Sequence, residues 1–335
     1  MMTISTLRRM TLASCLALMT LSACNKADEP IIGGGQTGSE EPGGVPGLDN
    51  DILSIFAYNG TTEISTGQWA DGHSIGLFLT KDSLGNPYEN NYDAYSNIPA
   101  VYTKEGWTTV PAAVKLTERP AIVYAYSPYR PDIDPRAMHV ECASGTYYMY
   151  GTHAAPQTSV RKGSMIVRLL FKQAQSLIDF RMKKRDWRGD LELQRIVIRR
   201  ATDSSSRTGG SVVADTTSVT GLPIEGNLDI QTGDMTYTAY GQYDSGPMSQ
   251  TVTENISSTA RVLMPVMPLT AEDGPVELAF TVNGREMSVV LDEDTYFTSG
   301  ARNVINLTFT GEGIEVNSSI KDWADSTQQD ITVNT

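Results

Sequence analysis

Cysteine is nearly absent: 335 residues hold only Cys15, Cys24 and Cys142. Cys15 and Cys24 both fall in the first 24 residues, which read as an export segment, and the one thiol beyond them can form neither an internal disulfide nor a cysteine zinc cluster. Cys142 reads instead as a small buried hydrophobe, the usual place for a free cysteine. Histidine is as scarce, with His73, His139 and His153 far apart and in no HExxH or His-x-His spacing; metal ligation has no pattern behind it. A GxSxG elbow and a P-loop are both missing. Asp292, Glu293 and Asp294 stand together after an apolar run. They lack the EF-hand spacing, and three successive acids on a loop read as solvated rather than as acid–base or calcium groups. Basic charge is short, 26 Lys and Arg against 39 Asp and Glu for a net charge of −13. That excludes nucleic acid, where clustered cations supply the affinity, and general attraction to anionic lipid. Long helical periodicity is lacking as well. These absences together predict no enzyme, no cofactor and no metal.

What is present begins with an export signal. Arg8 and Arg9 precede an apolar stretch from Met10 to Leu21, and Leu21-Ser22-Ala23-Cys24 follows. Basic, then apolar, then small residues before a cut is the layout of a signal peptide. The apolar part is about a dozen residues, short of the roughly 20 that span a bilayer. The small-residue site ending in Cys resembles the lipobox of bacterial lipoproteins, which implies diacylglycerol on the Cys24 thiol and removal of residues 1–23. Without Arg8 and Arg9 the mature 24 basic and 39 acidic residues give a net charge of −15. Residues 30–47 hold seven Gly and three Pro and no aromatic, so they build no core. As a flexible tether they average roughly 20–25 Å end to end. The acids of Asn25-Lys26-Ala27-Asp28-Glu29 resemble a surface-export tag of some anaerobic diderm bacteria. This points to the outer face of the outer membrane.

From residue 51 the pattern is β almost throughout. Ile75, Leu77 and Leu79 alternate at period two, the mark of a half-buried strand. Residues 121–126, 165–171, 177–182 and 191–198 are further short apolar runs. Residues 276–291 make the clearest hairpin. Val276, Leu278, Phe280 and Val282 share a face, Asn283-Gly284 turns, and Met287, Val289 and Leu291 return. Asn-Gly accepts the positive φ of a two-residue turn. Residues 304–309, 314–316 and 331–333 complete the set, with at most one helical turn at 173–177. Many short strands between Gly, Asn and Pro turns predict sandwiches. The expected organisation is a signal at 1–23, a lipidated Cys and tether at 24–50, and β-sandwich domains at 51–160 and 161–335. The polar stretch 155–163 with Pro156 marks that boundary.

Six motifs then occur in order. The first half holds Trp69-Ala70-Asp71-Gly72-His73-Ser74-Ile75-Gly76-Leu77-Phe78, Gly106-Trp107 and Ala121-Ile122-Val123-Tyr124-Ala125-Tyr126-Ser127-Pro128-Tyr129. Phe171-Lys172-Gln173-Ala174-Gln175-Ser176-Leu177-Ile178-Asp179-Phe180 opens the second half. Arg302-Asn303-Val304-Ile305-Asn306-Leu307-Thr308-Phe309 and Ser319-Ile320-Lys321-Asp322-Trp323 close it. Behind a lipobox, this order resembles the fimbrillin family of outer-membrane lipoproteins. The resemblance implies two tandem transthyretin-like β-sandwich domains and a role as subunit, tip or anchor of surface fimbriae. It also implies partners that are other fimbrial subunits, joined by exchange of an N-terminal strand after proteolysis at a basic residue. Such pairing is β-augmentation: main-chain bonds give affinity and alternate side chains fill pockets. The candidate exchangeable strand is Ile52-Leu53-Ser54-Ile55-Phe56. Here the chain departs from the polymerising pattern, because no Lys or Arg lies between Lys26 and Lys81. A trypsin-like protease has no site there, which points to an anchor or terminator that keeps both lipid and first strand.

The alternative function is a surface glycan-binding lipoprotein, with Trp107 or Tyr147, Tyr148 and Tyr150 as sugar faces. Neighbouring strand residues point to opposite faces, so Tyr147 and Tyr148 make no single platform. Trp69 and Trp323 read as core caps or plugs. The cations between Arg181 and Arg200 read as outward strand and turn positions, the other reading being a patch for an acidic partner. Asp82-Ser83-Leu84, Asp215-Thr216-Thr217 and Asp325-Ser326-Thr327 resemble an O-glycosylation motif.

Overall fold

A computed structural model describes residues 50–59, 62–63, 69–201, 221–256, 261–291 and 297–322. Cys24 and its tether, the acids at 292–294, Trp323, the strand expected at 331–333 and the motifs at 215 and 325 lie outside the described residues.

The described chain is a succession of strands. The first half has β1 (Ser54–Asn59), β2 (Thr62–Glu63), β3 (Ser74–Thr80), β4 (Ile98–Thr103), β5 (Gly106–Thr109), β6 (Ile122–Ser127), β7 (Met138–Glu141), β8 (Met149–His153) and β9 (Ile166–Gln173). The second half has β10 (Ser176–Lys184), β11 (Glu192–Arg200), β12 (Leu222–Leu228), β13 (Met235–Gly241), β14 (Tyr243–Asp244) and β15 (Gln250–Thr251). It ends with β16 (Val262–Val266), β17 (Val276–Val282), β18 (Arg285–Val290), β19 (Ala301–Phe309) and β20 (Ile314–Asp322). One short helix, α1 (Tyr92–Tyr95), interrupts them; Asn91 caps it by accepting the Ala94 N–H at 3.2 Å. Asn and Asp at such caps satisfy amides that a first turn leaves unpaired.

Eight strands join in the order β2-β1-β9-β8-β6-β3-β4-β5. This sheet curls until β5 approaches β1, and its inner face encloses Ile75, Leu77, Leu79, Val123, Ala125, Val167, Leu169 and Phe171. The alternation in β3 is therefore real, but both of its faces are covered. Phe78, on the opposite face, joins a second cluster with Tyr124, Tyr126, Met138 and Val140. Gly76 sits under the Tyr126 ring so closely that a Cβ would lie 2.0 Å from Cε1.

The remaining strands form a four-stranded sheet, β16-β10-β19-β20, and a second sheet along β14-β11-β17-β18, which β15 joins by pairing β11. Their inner faces meet edge to face, with Phe280 of β17 5.9 Å from Phe180 of β10 and 5.5 Å from Phe309 of β19. Such T-shaped contacts suit the ring quadrupole. The hairpin β17–β18 forms as the sequence demands, with φ of 47° at Asn283 and 75° at Gly284.

The expected boundary at 160/161 falls inside the curled sheet. Residues 155–163 connect β8 and β9, which pair with each other, and the chain leaves for the second sheet after Gln173. A further sheet, β13-β12-β7, takes β7 from the first half and β12 and β13 from the second. The single turn of helix allowed at 173–177 is the crossing from β9 to β10. Polar residues made 155–163 look like a linker, whereas the pairing of β8 with β9 makes it a connection within one sheet.

Candidate functional site

The first strand is built into the curled sheet from both flanks. Residues 51–53 bond to the segment after β5. Leu53 N–H donates to Val114 O at 2.9 Å, Leu116 N–H donates to Asp51 O at 2.6 Å, and Ile52 bridges Lys115 antiparallel. Then β1 changes partner. Ser54 N–H donates to Met165 O at 3.0 Å, and Ser54 to Asn59 run parallel to residues 166–171 of β9. The two-residue β2 covers only Tyr58 and Asn59.

Side chains alternate along this segment as strand geometry requires. Leu53, Ile55 and Ala57 are buried beside Val114, Leu116, Val167 and Leu169. Phe56 points out with 42% of its surface exposed, and Ile52 is half-buried. Of the four residues expected from the sequence, Leu53 and Ile55 therefore fill the core while Phe56 does not. The strand also runs three residues further than expected, to Asn59. Burying a Leu and an Ile stabilises by roughly 1.5–3 kcal/mol each.

At one end the sheet is closed by aromatic rings. Trp69 is buried, its ring 4.5 Å from His73, 5.3 Å from Trp107 and 6.0 Å from Phe171 of β9. His73 Nε2 lies 3.0 Å from Ser127 Oγ, and burial holds this imidazole below its ordinary range. Trp107 packs against Tyr102 and Trp69 rather than standing out as a sugar platform. Tyr148 is buried under Arg130, whose guanidinium carbon sits 4.9 Å from the ring centre. Ser83, in the first glycosylation-like motif, is half-buried in a turn beside buried Leu84.

Four of the cations between Arg181 and Arg200 are paired with acids. Arg199 donates to Glu277 at 2.7 Å and to Glu286 at 3.0 Å across three strands of one sheet. Arg195 pairs with Asp244, Arg185 with Glu315, and Arg181 with Asp179. Arg199 holds the Glu277 carboxyl below the usual range, and Arg195 does the same for Asp244. Among the described residues no cluster of three or more His, Cys, Asp or Glu side chains is placed to hold a metal.

The parallel pairing of β1 with β9, and the segment at 114–116 that completes its seat, were not visible in the sequence. The only local signal was Val114 and Leu116 straddling a Lys.

The Fimbrillin-like family model matches residues 61–323. Similar folds occur in a candidate cell adhesion protein from Bacteroides uniformis and in one from Bacteroides ovatus. The first is 16% identical with a TM-score of 0.58, over 82% of this chain and 97% of that one. The second is also 16% identical with a TM-score of 0.58, over 81% of this chain and 98% of that one. A fimbrial protein from Bacteroides vulgatus is 10% identical with a TM-score of 0.45, over 82% and 100%. No curated protein sequence matches. With more than half its length covered by one family model, the chain belongs to the fimbrillin-like family, a family of fimbrial and cell adhesion proteins rather than of enzymes.

Proposed function

We propose that this chain is a surface-exposed lipoprotein of the outer membrane, lipidated on Cys24, and a structural and adhesive component of fimbriae whose subunits join by β-strand donation. The observation that carries this reading is the seat of residues 51–59. They are flanked by 114–116 on one side and by β9 on the other, with alternate side chains in the core. Taking such a segment out would leave two rows of main-chain groups unpaired and a slot lined by Val114, Leu116, Val167 and Leu169. Only another strand satisfies both needs at once. The curled sheet and the sandwich serve as the two tandem transthyretin-like domains, with β9 in the first. The lack of Lys or Arg between Lys26 and Lys81 favours a molecule that keeps its own first strand, an anchor or terminator at the membrane.

Intact-mass and N-terminal analysis of the protein from its native outer membrane, before and after shearing of fimbriae, tests this. A lipidated chain starting at Cys24 and left in the membrane supports the anchor. A chain trimmed past Phe56 in sheared filaments makes it a polymerising subunit instead. An unlipidated chain absent from both fractions overturns the proposal.

A further inference from the structure

His153, the last residue of β8, is engaged at both ring nitrogens. Its Nε2 accepts the Val123 backbone N–H of β6 at 3.0 Å, and its Nδ1 lies 3.1 Å from Gln157 Oε1. An amide oxygen only accepts, so Nδ1 carries the proton and the ring is neutral. Gln157 does more. Its Oε1 accepts the Arg168 N–H at 2.7 Å and its Nε2 donates to Ile166 O at 2.7 Å.

These two residues stand where a strand would be. The β8–β9 ladder ends at His153 and Leu169, and one further bond, from Ala154 N–H to Arg168 O, follows. Beyond it the Gln157 amide takes the main-chain groups of Ile166 and Arg168 that a partner strand would otherwise satisfy. The opposite edge of residues 166–168 carries Ser54, Ile55 and Phe56 of β1. The part of β9 that seats the first strand is thus braced by one side-chain amide, itself anchored to β6 through His153.

We propose that His153 is an acid-operated latch on the seat of the first strand. A proton on Nε2 removes the acceptor of the Val123 N–H and sets two donors against each other. The ring then leaves β6, Gln157 loses its anchor, and the start of β9 loosens together with β1. Burial already holds the imidazole below its ordinary 6.5. The titratable and charged groups on the elements packed against it are Tyr124 and Tyr126 on β6, Tyr150 on β8, Arg161 and Lys162 in the connection, and Arg168 and Lys172 on β9. None of these contributes to the shift. With the folded value depressed, the latch is closed above about pH 6.5 and opens as pH falls below it. The device needs only the folded chain, whether or not β1 is exchanged in fimbriae.

Hydrogen exchange of the full mature chain, read by mass spectrometry at pH 7.5 and pH 5.0 and corrected for intrinsic rates, tests the latch. Protection of residues 52–59 should fall about tenfold or more at pH 5.0 while that of 276–291 holds. His153→Gln keeps an acceptor without a basic nitrogen, and its residues 52–59 should lose the pH dependence. Unchanged protection at pH 5.0 overturns the proposal. So does a fall that persists in His153→Gln, or an equal fall at 276–291. Should that variant fail to fold, the wild-type His153 ring is titrated by NMR. Its midpoint must coincide with the loss of protection at 52–59, and a mismatch overturns the latch.

Discussion

Asp179 has no exposed side-chain surface and faces three guanidinium groups. Arg302 and Arg261 each bring an Nη2 within 2.8 Å of Oδ2, and Arg181 brings one to 3.1 Å. Arg302 comes from β19 and is itself almost wholly buried, so one carboxylate ties β10 to β19 and to the segment entering β16. A buried ion pair is weak evidence of net stability, but breaking one from a single side leaves a stranded charge, which costs about 3–5 kcal/mol. Asp179→Asn removes the charge and keeps the shape. It should lower the unfolding free energy by about that much, read as a lower urea midpoint at an unchanged slope of the transition. A loss below about 1 kcal/mol would mean that water or another acceptor already shares the arginines.

The first strand shows what an element adds to its residues. Ile55 and Phe56 are neighbours of similar hydrophobicity, yet Ile55 is 7% exposed and Phe56 42%. Ile55→Ala should cost about 2–4 kcal/mol as a core truncation, and Phe56→Ala under about 1 kcal/mol. Thermal unfolding of both variants gives the comparison, and a reversed order would put the strand in the other register. The family resemblance, not periodicity, picked out Ile52–Phe56 as a strand, because Ile-Leu-Ser-Ile-Phe does not alternate; alternation made β3 and the β17–β18 hairpin legible, and the hairpin's turn residues accept positive φ. The first strand's partner was not legible. Parallel pairing with β9 joins residues more than a hundred positions apart, and nothing in Ile52–Phe56 names that distant edge. β12 and β13 escaped notice for a different reason. Leu222–Leu228 carries Pro223, Glu225 and Gly226, and two register shifts absorb them. Met235–Gly241 alternates Thr with half-buried Tyr and Ala, a pattern with little apolar contrast. The short helix Tyr92–Tyr95 sits in a Tyr- and Asn-rich stretch without helical period. The basic run read as outward strand and turn positions, but most of its acidic partners were not legible because Glu277, Glu286, Asp244 and Glu315 lie on distant strands.

Over the whole molecule these sites set a window of pH. His73 and His153 are held neutral by burial, so their contribution is complete above about 6.5 and is lost on acidification. The alkaline limit comes from groups displaced upward by burial. The Cys142 thiol is pushed from 9.0 to about 12, and the Tyr126 and Tyr237 hydroxyls from 10.0 to about 12. Burial also raises Tyr243, which donates to Pro223 O and accepts the Met267 N–H, well above its ordinary value. A raised folded value means that the unfolded chain loses its proton first, so stability is full below the unfolded value and declines as pH climbs towards the folded one. Cys142 enters first because its unfolded value is lowest. One unit is worth about 1.4 kcal/mol, so this thiol alone should remove about 2 kcal/mol by pH 10.5. The tyrosines add to the decline only above pH 10. Urea midpoints at pH 7.5, 9.0 and 10.5 should therefore fall for the wild-type chain in that order. Cys142→Ala gives up the contact with Gln175 Nε2 at 3.4 Å and should start lower at pH 7.5. Its decline between 9.0 and 10.5 should be shallower by about the thiol's share, and a parallel decline in both proteins would show that Cys142 ionises no later in the fold than out of it.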